Sequence, residues 1–150
     1  MRIPAEQKDW LTREIAAVID QLPPNQSRHL YSELLTAVDA GEVPEDLQEP
    51  LARLLAVGLE SGRIRRLYGA HAEMAASRLY ARSPDGEAAG AALARVNEAL
   101  CEFAGATLNR IAFDSRFPGS YTLTLDTARG QLTLTIDRQG VRLHAAEVAG

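Results

Sequence analysis

The hydrophobic period of this chain changes once, near residue 107, and that change limits what the chain can fold into. Before it, apolar residues recur every three or four positions, the spacing of one helix face. After it they alternate, the spacing of a strand with one buried side. Helices first and strands second is the order of an α+β fold. No internal repeat and no low-complexity tract interrupts either half.

Residues 5–21 place Trp10, Leu11, Ile15, Val18, Ile19 and Leu22 on one side, and Pro23-Pro24 stops the run. Ser27 is positioned to cap a second helix with the stripe Leu30, Tyr31, Leu34, Leu35 and Val38, closed by Gly41. A third helix opens near Pro44 or Pro50, where a proline in the first turn costs little, and runs through Leu51, Leu54, Leu55 and Leu59 to Gly62. The fourth lies in "GRIRRLYGAHAEMAASRLYAR" and ends before the turn-like Ser83-Pro84-Asp85-Gly86. A fifth spans roughly 86–105, with Ala89, Leu93, Val96, Leu100 and Phe103 inward.

Beyond residue 107, "TLNRIAF", "SYTLTLD" and "QLTLTID" read as strands, with Tyr121, Leu123, Leu125, Leu132, Leu134 and Ile136 on one face and threonines on the other. The connection "TARG" sets Leu125 opposite Leu132, Thr124 opposite Thr133 and Thr122 opposite Thr135. A turn at Gln139-Gly140 sets Ile136 opposite Leu143, Asp137 opposite Arg142 and Thr135 opposite His144. Glu147 falls out of the alternation, so the last strand is expected to fray or bulge there. The expectation is an α+β fold with about five helices (5–105) packed on one face of an antiparallel meander of about four strands (107–148). A single domain is expected, with the helices in residues 1–105 and the sheet in residues 106–150.

Composition bears mainly on partners. The chain is 46% hydrophobic and 24% charged, ordinary for a globular protein. A net charge of −4 argues against a protein that coats nucleic acid, so nucleic acid is not an expected partner. The charge is uneven: residues 1–50 hold 10 acidic and 4 basic side chains, and residues 51–83 hold 6 arginines against Glu60 and Glu73. The two segments either attract each other within the fold or face partners. Cys101 is the one cysteine, which suits a reducing cytoplasm. The N-terminus lacks the pattern of a signal peptide, and no apolar run approaches a membrane span, so a cytoplasmic protein without membrane insertion is expected. Lys8 is the one lysine among many arginines, an association with GC-rich bacterial genomes.

His71-Ala72-Glu73 has the H-x-E spacing of zinc deaminases, but the two thiolate ligands such a site needs are absent. His71 and Glu73 also point apart on a helix, and the expectation is a histidine at the margin of a packed seam with Ile64, Leu67, Met74 and Ala75. Nucleophilic catalysis needs a nucleophile beside a base with an orienter, and His29, His71 and His144 fall on three different elements. Cys101 reads as a buried inert thiol. No catalytic residue, metal ligand or cofactor is expected.

Arg63, Arg65 and Arg66 stand at a helix start, where positive charge opposes the helix dipole. Something anionic should offset them: the acidic first third, a bound phosphate, or a partner's carboxylates. With Tyr68 and His71 they form the first candidate ligand or partner site. Arg116 and Phe117, in the connection "DSRFPGS", form the second, since an apolar ring at a loop tip often makes contacts. The threonine face, with Arg142 and His144, is a solvated sheet surface, a polar interface or the edge of a pocket. The alanine-rich fourth and fifth helices carry small residues on nearly all sides, as helices covered all round do. The leading expectation is therefore a non-enzymatic interaction protein: an accessory subunit, adaptor or small homo-oligomer in a bacterial cytoplasmic assembly, with a protein partner or its own copy. A module for a small phosphate- or carboxylate-bearing ligand at Arg63–Arg66 is the alternative, and a small enzyme using His71 as acid or base the third.

Overall fold

A computed structural model describes residues 1–138 and 140–148, with Arg116 described by its backbone alone. Five helices precede a four-stranded antiparallel sheet, the α+β layout read from the period change. They are α1 (Ala5–Gln21), α2 (Gln26–Ala40), α3 (Gln48–Glu60, preceded by a 3-10 turn Glu45–Leu47), α4 (Arg63–Ala81) and α5 (Pro84–Glu102). The strands are β1 (Leu108–Phe117), β2 (Ser120–Thr127), β3 (Gly130–Asp137) and β4 (Gly140–Val148), in the order β1-β2-β3-β4. The chain divides into two compact units, 1–87 and 88–150, with the boundary inside α5.

The first unit has its own core. Leu11, Ile15, Leu34, Val38, Leu51, Leu55, Ile64 and Leu79 from α1 to α4 are buried together. The helix starts differ from expectation in two places. Asn25, not Ser27, caps α2: its side chain accepts from the Arg28 N–H at 3.2 Å, the third position of the helix. The turn-like Ser83-Pro84-Asp85-Gly86 is the start of α5, with Ser83 Oγ accepting from the Gly86 N–H at 3.2 Å and Pro84 first in the helix. A hydroxyl cap, a proline behind it and acids in the first turn favour a helix as strongly as a turn. The fourth helix carries a break that its apolar spacing does not announce. Gly69 has φ 86 and ψ 175, a region open essentially to glycine alone, and divides α4 into a short piece, 63–68, and a longer one from 70 on.

Gly58 sets how closely α3 and α4 approach. A Cβ there would lie 2.7 Å from Ile64 Cδ1, on a side chain with no exposed surface. Gly58→Ala should therefore cost about 1–3 kcal/mol of unfolding free energy by urea titration, because a filled core has no room to take up a methyl.

In the second unit Val96 and Ala99 of α5, with Phe103 just after it, lie on the sheet and share a buried cluster with Leu132, Leu134, Leu123, Leu125 and Val141. The β2–β3 register is the expected one, with Leu125 opposite Leu132, Thr124 opposite Thr133 and Thr122 opposite Thr135. The β3–β4 register is not. Ile136 faces Val141, Asp137 faces Gly140 and Thr135 faces Arg142. A slip of two residues keeps every side chain on its own face, so alternation alone does not distinguish the two registers. Of the expected turn Gln139-Gly140, Gln139 lies outside the described residues. A bulge falls at His144, between the pairs Leu134–Leu143 and Thr133–Ala145. The extra residue resets the parity and turns Glu147 to the threonine face, opposite Gln131, so the strand runs on to Val148.

Candidate functional site

The arginine segment is organised by a residue outside the expected candidate sites. Glu14 lies on the apolar stripe of α1, between Leu11 and Ile15, and is only 3% exposed. Its Oε1 takes the Arg63 Nε–H at 3.1 Å, and its Oε2 accepts from the Tyr68 hydroxyl at 3.0 Å. Tyr68 also packs beside Trp10, ring centroids 6.2 Å apart. Arg63 and Tyr68 are the two ends of the short helical piece between Gly62 and Gly69, so one carboxylate holds both ends of it. A buried carboxylate needs its charge matched and its lone pairs filled, and this arrangement does both. The signal is present in the sequence as an acid at apolar spacing.

The other members of that candidate site are dispersed. Arg65 reaches Glu73 at 3.4 Å across the break, in an exposed pair. Arg66 is exposed, and its side chain has no ion pair among the described residues. His71, expected at the margin of a seam, is exposed. The seam of the longer piece is Ala72, Ala75, Ala76 and Leu79, and the break at Gly69 turns His71 away from the face of Ile64. Leu67 and Met74, expected beside it in the packing, are likewise exposed.

Burial first, then the hydrogen bond to Glu14, hold the Tyr68 phenol above its ordinary value, with Arg63 pulling it down. An acid whose native pKa is raised contributes stability that is intact below its unfolded value of about 10 and is lost as pH rises through the native value. A spectrophotometric titration should find Tyr68 ionising above the ordinary range of a phenol, and Glu14→Gln should bring it back toward that range. Glu14→Ala should cost roughly 3 kcal/mol by denaturant unfolding, since it strands Arg63 in a partly buried place. With Arg63→Ala added, the double variant should lose less than the two single losses together.

The second candidate site, Arg116 and Phe117, is not in a long loop. β1 runs to Phe117 and β2 begins at Ser120, leaving Pro118-Gly119 as a two-residue turn with Gly119 at φ 87. Proline followed by a positive-φ glycine makes a tight turn, so Asp114–Phe117 stay in the strand. Phe117 is 61% exposed and borders a shallow cavity of about 180 Å³ on the threonine face, with Ser120, Thr122, Thr133, Thr135 and His144. The side chain of Arg116 lies outside what is described. Cys101, expected buried, is exposed, because it points away from the face of its helix that carries Val96 and Ala99.

The apolar face of the sheet is covered unevenly. A helix is about 10 Å across, and four strands about 4.8 Å apart are wider than that. α5 covers β3 and the adjoining parts of β2 and β4. Ile111, Phe113 and Tyr121 of β1 and β2 lie on the same face and are exposed, Ile111 at 58% and Phe113 at 61%. The rings of Phe113 and Tyr121 are in contact, centroids 6.2 Å apart. Alternation marks Tyr121 as inward but does not show that this edge lacks a cover.

Among the described residues no group of three or more His, Cys, Asp and Glu side chains gathers as a metal site would require, and no helix is long and apolar enough to cross a membrane. Comparison with protein-family models, with curated proteins and with solved structures finds no match to this chain.

Proposed function

We propose that this protein works by association: an accessory or adaptor subunit of a bacterial cytoplasmic assembly that contacts its own copy or a protein partner and performs no chemistry itself. The observation that supports this is the apolar strip Ile111, Phe113 and Tyr121 on an ordered sheet. Scattered apolar side chains at a surface are ordinary, but three that adjoin on one rigid face are what contact surfaces offer. The expected anion site draws less support, since Arg63 and Tyr68 are engaged by Glu14 and Arg65 by Glu73.

Sedimentation velocity over a range of concentrations, alone and with each candidate subunit, tests the reading. The expected result is concentration-dependent association that is lost in Phe113→Ser/Tyr121→Thr while the melting temperature stays within a few degrees, because neither ring is in the buried cluster. Association undiminished in that variant would remove the strip from the mechanism.

A further inference from the structure

The two edges of the sheet are not alike. β4 carries the bulge at His144, a distortion that twists an edge away from pairing. β1 has register shifts only near its ends, between Leu108 and Arg110 and between Ser115 and Phe117, which leaves Arg110–Ser115 as an uninterrupted run. As the first strand in the sheet order, β1 has a strand on one side only. Its free edge is a row of backbone donors and acceptors beside an exposed Ile111 and Phe113, the kind of edge natural sheets usually blunt or use.

The sequence of that run is complementary to itself when reversed. Place a second copy antiparallel with Ala112 opposite its own counterpart. Arg110 then stands opposite Asp114 of the other copy, and Ile111 opposite Phe113. The two-fold axis repeats both pairings. Arg110, Ala112 and Asp114 belong to the threonine face, opposite Asp126, Thr124 and Thr122, and Ile111 and Phe113 to the apolar face, opposite Leu125 and Leu123. The pairing therefore joins charged with charged and apolar with apolar. Among the described residues neither Arg110 nor Asp114 has an ion pair within its own chain. Other registers fail. Centred on Ile111, the strands leave Arg110 opposite Ala112 and Asp114 opposite Leu108. Centred on Phe113, they leave Asp114 opposite Ala112. A slip of one residue sets apolar side chains against charged ones.

Resting on the reading that the protein works by association, we propose that two copies join through antiparallel pairing of β1 with β1, in the register centred on Ala112, into a continuous eight-stranded sheet. The backbone ladder supplies the attraction, and the Arg110–Asp114 pairs fix the register. The Ile111–Phe113 pairs cover one another beside the Tyr121 rings. Cross-strand neighbours lie about 5 Å apart, within reach of each pairing.

Charge exchange in the full chain tests this by light scattering and sedimentation. Arg110→Asp alone sets a carboxylate against Asp114 in both cross-axis pairs, and Asp114→Arg alone sets a guanidinium against Arg110 in both, so each should weaken the dimer roughly tenfold or more. The double variant, Arg110→Asp with Asp114→Arg, should return to the wild-type constant. An equal mixture of the two single variants, one carrying a mass tag, should form the heterodimer while neither forms its own dimer. Circular dichroism and melting of each variant separate loss of pairing from loss of fold. Independently of these charges, Ala112→Cys in a Cys101→Ser background should give a covalent dimer with a short thiol crosslinker, and Asp114→Cys in the same background should not, since its counterparts lie on opposite sides of the axis. A wild-type dimer indifferent to both single exchanges would overturn the β1 pairing while leaving association intact. A wild type that is monomeric at every concentration would overturn the pairing and leave partner binding by the apolar strip to be judged by the Phe113/Tyr121 variant.

Discussion

One carboxylate taken out of water organises the first half of the molecule. Glu14 lies on the buried side of α1, where burial of a charge is costly unless partners fill its lone pairs. Arg63 and Tyr68 do so from the two ends of one short helical piece, bounded by glycines in conformations that other residues rarely adopt. The local rule that cations disfavour a helix start is thus broken by Arg63 for a tertiary reason. Its counter-charge comes from another helix, not from the dipole of its own. Arg65 and Arg66, on the same piece, face outward.

The sheet has the opposite character: its local rules hold and its coverage is incomplete. Three antiparallel pairings, two of them with two-residue turns at Pro118-Gly119 and Ala128-Arg129, build a regular meander. Arg129 ties the second turn to α5 by donating to the carbonyls of Ala104, at 2.8 Å, and Glu102, at 3.4 Å, where a cation suits the end of a helix. One helix is too narrow to shield four strands, so the apolar side of the β1 edge is left to water or to a partner. A fold that ends in an exposed, regular edge strand either blunts that edge or uses it. The two edges here differ, with a bulge on β4 and an unbroken central run on β1.

Several features are legible from residues alone because they rest on spacing. The stripes of α1 to α3, the αL glycine that closes α2, and the pairing of Leu125 with Leu132 follow from periods of 3.6 and 2 and from turn chemistry. The β3–β4 register escapes such rules because registers two residues apart preserve both faces, and the bulge that rights Glu147 falls three residues earlier than expected. The helical start at Ser83-Pro84 escapes them because cap and turn use the same residues. A continuous helix would set His71 beside Ile64, and Gly69 breaks that helix. Of the candidate site, Arg63 and Tyr68 are legible without their partner, since a single acid in an apolar stripe does not say which cation, some fifty residues on, will reach it.

The sequence by itself determined the α+β class, the order of the elements and the face that most residues take, because these follow from periodicity along a single element. Only the tertiary structure decided which apolar faces find cover and which charges find partners. Those depend on the widths of packed elements and on contacts between residues far apart in the chain, and no spacing rule carries that information. Glu14 became an anchor and Phe113 a surface for that reason.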